Sequence, residues 1–213
     1  MNKTEEWHTQ IIAETTCTAL KANGFDTHYA KTRHDALSYL ESILIPGMTV
    51  GMGGSMTLSE LGISALLENH NVTILDHSRK DLSREQKMEI MRAQLTSDLF
   101  LASANALTIS GEIFNIDGNG NRIAALTFGP KKTIVFAGIN KIVRNLDEAE
   151  SRCKMIASPM NNKRLDKPNP CTKTGICVDC HTDTRICRIY SVLKRRPSSS
   201  DYTVVIIGEK LGY

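Results

Sequence analysis

The stretch Met48-Thr49-Val50-Gly51-Met52-Gly53-Gly54-Ser55-Met56-Thr57-Leu58-Ser59-Glu60-Leu61 decides the fold. Met48 to Met52 is a short apolar run between Pro46-Gly47 and Gly53-Gly54, the mark of a buried strand. Thr57 and Glu60 stand at capping-box spacing, and Leu58, Leu61, Ala65 and Leu66 follow as one helix face. A strand that passes through glycines straight into a capped helix is half of a βαβ unit.

The pattern repeats on both sides. Upstream, Asn2 and Glu5 can cap a helix carrying Ile11, Ile12, Thr15, Ala19 and Leu20, stopped by Asn23-Gly24. Asp26 to Ala30 reads as extended, and Thr32 caps a helix with the stripe Ala36, Leu37, Leu40, Ile43 and Leu44. Downstream, Val72 to Leu75 is a strand, and Ser83 with Gln86 opens a helix with Met88, Met91, Leu95 and Leu99 on one side. The alternation predicts an α/β fold, a mostly parallel sheet covered by helices.

The middle of the chain changes character. Ala106–Ile109, Ile113–Ile116, Ile123–Phe128 and Thr133–Ala137 read as short strands, with the turn-forming run Asp117-Gly118-Asn119-Gly120-Asn121 between two of them. A hairpin here would make the sheet mixed. Asp147 to Ile156 reads as helix, Ser158 to Arg188 has no periodicity, and Tyr202 to Ile207 supplies a last strand. The expectation is one domain over residues 1–213 with a cysteine-rich insertion at about 158–188.

Composition narrows the partners. With 41% hydrophobic residues, 23% charged residues and a net charge of +3, the chain has a normal core and no electrostatic footprint for nucleic acid or an anionic membrane. The run Lys194-Arg195-Arg196 before Pro197 reads as a solvated loop. No stretch reaches the roughly 18 apolar residues of a membrane helix, and Met1 to Glu6 lacks the order of a signal peptide. A cytoplasmic protein is expected, in which six cysteines point to thiols, metal or redox chemistry.

Three groups of residues carry candidate chemistry. Gly51, Gly53, Gly54 and Ser55 lead into a helix, where backbone N–H groups and the helix dipole favour an anion, with Ser55 and Thr57 adding hydroxyls. Neither a P-loop nor a dinucleotide fingerprint fits, because Met56 stands where lysine or the third glycine belongs. A tight turn without ligand fits the same spacing. Asn105, Glu112, Asn115 and Asp117 form the second group. Asn115 and Asp117, two apart on a strand, would face one cleft, with Glu112 or Asp117 as nucleophile or base. A solvated Glu112 beside a plain turn is the alternative.

The third group is Cys171, Cys177, Cys180 and Cys187, spaced C-x5-C-x2-C-x6-C. Four thiolates complete an iron–sulfur cluster or a zinc site, with His181 able to substitute and Arg185 and Arg188 offsetting charge. Free thiols or one labile disulfide fit too. Cys17 and Cys153 read as small buried hydrophobes.

Together these blocks resemble the lactate-utilisation (LUD) family. The likeness is carried by Val50 to Ser55 with Leu58-Ser59-Glu60-Leu61-Gly62, by Ser103-Ala104-Asn105-Ala106, and by Glu112 to Arg122. It continues through Phe128 to Lys132 and Gly138 to Val143, and Pro170 to Arg188 resembles the cysteine segment of a stand-alone subgroup. The resemblance implies a fold similar to the sugar-phosphate isomerase and CoA-transferase group. It also implies a link to oxidation of L-lactate to pyruvate, as an accessory or electron-transfer component beside an iron–sulfur oxidoreductase partner. Its binding residues would be Gly53, Gly54 and Ser55, facing Asn105, Glu112, Asn115 and Asp117. A non-redox isomerase or acyl-transfer enzyme, or an anion-binding module, remains the other reading, and a homodimer is the default assembly.

Overall fold

The computed structural model describes residues 2–213; Met1, the first residue of the expected domain, lies outside the described residues. The chain runs α1 (Lys3–Ala22), β1 (Asp26–Ala30), α2 (Arg33–Glu41), β2 (Thr49–Met52), α3 (Met56–Leu61), α4 (Ile63–Glu68) and β3 (Thr73–Asp76). It continues α5 (Arg84–Ala93), β4 (Leu99–Ser103), β5 (Ala106–Thr108), β6 (Ile113–Asp117), α6 (Asn121–Thr127), β7 (Lys132–Gly138) and β8 (Ile142–Val143). Then come α7 (Leu146–Arg152), a π-helical turn (Cys153–Ala157), α8 (Ser158–Arg164), α9 (Cys171–Thr174), β9 (Ile189–Leu193) and β10 (Asp201–Ile207).

Six strands form one parallel sheet in the order β1-β10-β7-β4-β2-β3. Alternate residues of its central strands enter opposite cores. Phe100, Ala102, Val135, Ala137, Val204 and Ile206 pack against Ala13, Cys17 and Leu20 of α1. Leu99, Leu101, Ile134, Phe136, Val205 and Ile207 pack against Leu40, Leu58 and Leu67 of α2, α3 and α4. Burial on both faces explains the near-continuous apolar runs of these strands.

The expected hairpin about the Asp117–Asn121 turn does not form, because the chain beyond that turn is helical. β5 and β6 pair antiparallel in a second sheet, ordered β8-β5-β6-β9, which carries the mixed pairing. Among the described residues, no helix is long and apolar enough to cross a membrane.

Several local expectations change. The capping box of α1 forms as read, and the caps Thr32 and Ser83 open α2 and α5 within capping boxes completed by Asp35 and Gln86. The cap of α3 is Ser55, whose side chain accepts from the Leu58 N–H; Thr57 turns inward instead. Gly62, at φ 74°, breaks the expected single helix into α3 and α4, so Ile63 and Leu67 are buried while Ala65 is exposed. Leu99 opens β4 and is not on a helix face.

The expected strand Ile123–Phe128 is helix α6. Its first N–H groups find a partner upstream: Asp117 Oδ2 accepts from Arg122 N and Ile123 N, both at 3.1 Å. A carboxylate at a helix start is favourable, and alanines at 124 and 125 are strong helix formers. The Asp117–Asn121 run therefore joins strand to helix. Helices α8 and α9 and strand β9 occupy ground read as aperiodic or left unassigned.

Candidate functional site

In an open parallel sheet, ligands bind beyond the carboxyl ends of strands whose connections leave in opposite directions. β2 leads on to β3 at one side, whereas β4 leads on to β7 at the other. A cavity of about 490 Å³ lies at that point. It is lined by Gly54 and Ser55 after β2, His77 after β3, Ser103 to Asn105 after β4, and Lys141 after β7. Asp117 and Arg122 enter from the second sheet and α6, while Ser158, Arg164, Lys167, Ile186 and Cys187 form the far wall.

The glycines divide their work. A Cβ on Gly51 would stand 3.0 Å from Phe100 Cδ2 and 3.1 Å from Ser97 Oγ, so this glycine serves close packing. A Cβ on Gly53 would meet Arg122 Cδ at 3.2 Å and Cγ at 3.3 Å, so its absence lets the arginine stem lie across the loop. Gly54 faces open space, its nearest neighbour being His77 Nε2 at 4.0 Å.

Arg122 is the centre of the polar network. Nη1 donates to Ser103 O at 2.9 Å and Asn115 Oδ1 at 2.6 Å; Nη2 donates to Asn105 Oδ1 at 3.0 Å and Ile116 O at 2.8 Å. Asn115 is buried behind the guanidinium and outside the cavity wall, whereas Asn105 and Asp117 reach the wall. Asn115 and Asp117 thus act on different sides of Arg122 and do not share one cleft. Glu112 lies outside the cavity wall, accepting from Thr108 Oγ1 at 3.2 Å and Ser110 Oγ at 3.3 Å.

Lys141, absent from the candidates, is 3% exposed. Its Nζ donates to Thr57 Oγ1 at 2.8 Å, Ser103 Oγ at 2.8 Å and Ala104 O at 3.1 Å. Burial, then the guanidinium charges of Arg152 and Arg122, bring its ammonium from 10.5 down to about 7. Arg152 stands behind Asn105, donating from Nη1 to Asn105 O at 2.6 Å. Among the described residues, none of these three cations has a carboxylate within ion-pair distance. Asp117 is the sole acidic side chain among the described lining residues, against lysines 87, 141 and 167 and arginines 122 and 164. A low-dielectric pocket with excess positive charge favours an anionic guest.

His77 adds a neutral donor. Gln94 Nε2 points at Met52 O and Leu75 O, both at 2.8 Å, which fixes the amide orientation. That nitrogen also faces His77 Nδ1 at 3.0 Å, so Nδ1 carries no proton and Nε2–H is the cavity-side donor. Burial lowers the imidazole's pKa and keeps it neutral.

Cys171, Cys177, Cys180 and Cys187 border a second, smaller chamber together with Asn162, Asn169 and Arg185. All six cysteines are free thiols. The cysteine segment docks on the π-helical turn, where Cys177 N donates to Lys154 O at 2.9 Å. Asp179 N donates to Cys177 Sγ at 3.4 Å, and Arg185 donates to Cys180 O and Cys187 O. Burial and the neighbouring thiols raise the pKa of Cys171, and burial raises that of Cys187. Among the described residues no three His, Cys, Asp or Glu side chains are drawn onto one point. The four thiols nevertheless border one chamber, with an N–H to sulfur and a guanidinium beside them. Ser158, Ile186 and Cys187 line both chambers, so one thin wall separates them.

The LUD domain family model matches residues 13–207. The chain belongs to the LUD domain family. It is thus of lactate-utilisation type at the level of the family. The crystal structure of a DUF162 family protein from Deinococcus radiodurans is similar over 93% of this chain and 98% of that one, with 12% identity and a TM-score of 0.54. That likeness shows the fold. No curated protein sequence matches this chain.

The residues that sequence reasoning missed in this LUD domain are the cations. Arg122 and Lys141 lay inside the family blocks without a role, and Arg152 and His77 carried no motif. A lysine just past a buried strand, as in Gly138-Ile139-Asn140-Lys141, was the available signal.

Proposed function

We propose that this LUD-domain protein binds a small organic anion in the 490 Å³ cavity and acts in oxidation of L-lactate to pyruvate as an accessory or electron-transfer component. The observation that carries the reading is the wall of Ser158, Ile186 and Cys187 shared by the cationic cavity and the four-cysteine chamber. Cys171, Cys177, Cys180 and Cys187 would hold an iron–sulfur cluster, which supplies one-electron transfer when bound. Arg122 and Lys141, whose donors are held by protein oxygens, would attract the carboxylate by their charge, and His77 Nε2–H would donate to it, with Ser55 at the cavity edge. Asn105, Asn115 and Asp117 keep Arg122 and its helix in place. The reading includes a cytoplasmic location, an iron–sulfur oxidoreductase as partner and pairing of two copies.

Anaerobic purification followed by iron, zinc and acid-labile sulfide assays, with a visible spectrum, tests it. Iron with matching sulfide and broad visible absorbance is expected. Zinc, or no metal, would overturn the electron-transfer role. The cationic cavity would then favour the second reading, non-redox chemistry or anion binding, because its contacts form without the thiols.

A further inference from the structure

The one buried amine of the cavity is used by nothing above except as a charge, and its surroundings suit more than that. We propose that Lys141 is a nucleophile that captures a 2-oxo acid, such as pyruvate, as a reversible imine. The proposal rests on the cavity being the organic-acid site described above.

Five observations converge. Lys141 belongs to the cavity wall although only 3% of it is exposed, so a ligand in the cavity adjoins a nearly dehydrated amine and bulk water is not the default neighbour. Its three hydrogen-bond partners are neutral oxygens. The charged groups around it are the cations Arg122 and Arg152, with Glu60 and Cys153 acting more weakly. A desolvated lysine beside other cations is the arrangement that keeps an amine neutral enough to attack a carbonyl. Two of its partners, Thr57 Oγ1 and Ser103 Oγ, are hydroxyls 3.2 Å from one another, able to accept a proton from nitrogen and return one to oxygen. The excess positive charge holds the ligand's carboxylate next to the reacting carbon.

The step balances without redox. The Nζ lone pair forms a C–N bond to the keto carbon as the carbonyl π pair moves onto oxygen. The amine's two protons then leave with that oxygen as water, and the C=N bond closes. A hydroxy acid such as lactate has no carbonyl at that carbon and cannot do this, so the device distinguishes the oxidised acid from the reduced one.

The test is borohydride reduction of the full-length protein with pyruvate, followed by peptide mass mapping, beside calorimetric titration with pyruvate alone. The expected result is a carboxyethyl mass gain on Lys141 at pyruvate concentrations that leave exposed lysines such as Lys131 unmodified, and none with L-lactate. Because the wild-type protein is mapped, a variant that misfolds cannot obscure the answer. Binding of pyruvate without mass gain on Lys141, or with gain spread equally over surface lysines, overturns the imine and leaves the organic-acid site standing. Absence of pyruvate binding overturns both.

Discussion

Replacing Lys141 with methionine should make the protein's stability respond differently to pH, and the size follows from the burial of one charge. The ammonium titrates at about 7 in the folded chain instead of the ordinary 10.5. Folding therefore disfavours the protonated form, and the unfolded chain binds more protons between these values. The penalty is complete below about pH 7 and fades as pH rises towards 10.5. That interval, at about 1.4 kcal/mol per pH unit, is worth up to about 5 kcal/mol. Methionine, similar in length and uncharged, removes the penalty and loses the bonds to Thr57, Ser103 and Ala104, each worth about 1 kcal/mol. The variant should thus equal or exceed wild type at pH 6 and fall behind it by about 1–2 kcal/mol near pH 9.5. Urea unfolding of both proteins at these values reads the difference, which cancels groups titrating alike in both. Parallel stability curves would refute a neutral-prone amine at this position.

Three further outcomes follow from named contacts. Gly53→Ala should cost about 1–3 kcal/mol and weaken pyruvate binding, because the new Cβ stands 3.2 Å from Arg122 Cδ; Gly54→Ala, with nothing nearer than 4.0 Å, should leave Tm within a degree or two. Asp117→Ala should lower stability by about 1–2 kcal/mol through loss of the α6 cap, read by thermal unfolding. Cys177→Ser with Cys180→Ser should remove bound metal and lower Tm; an unmoved Tm with unchanged metal content would mark the thiols as free.

The sheet was legible because its strands are buried on both faces. Runs such as Thr133–Ala137 and Tyr202–Ile207 had no polar alternation to confuse them. Helix α6 was not, since Ile123-Ala124-Ala125-Leu126 has no clear period and its cap sits on Asp117, beyond the helix. The glycine loop and the cysteine segment were visible as spacings. Their arrangement as neighbouring chambers was not, because it depends on α8 and the π-helical turn bringing Ser158 beside Cys187. Cations gave the weakest signal: Arg122 and Lys141 acquire meaning only from having neutral oxygens where carboxylates would be expected.

That preference for neutral partners has a cost that can be manipulated. Asn115 accepts from Arg122 with Oδ1, which leaves its buried Nδ2 without a partner. Gln94, held by two carbonyls so that it faces His77, leaves Oε1 in the same state. Unmade bonds of this kind cost about 1–3 kcal/mol each, so these amides are fixed for orientation at the expense of stability. Asn115→Asp tests the point. The carboxylate keeps the bond to Arg122, removes the orphaned N–H group and neutralises the guanidinium from behind. Thermal unfolding should show Tm unchanged or raised, while pyruvate affinity falls at least about tenfold, equivalent to about 1.4 kcal/mol. Tight binding retained in Asn115→Asp would mean that the unpaired charge of Arg122 is not what draws an anion into the cavity.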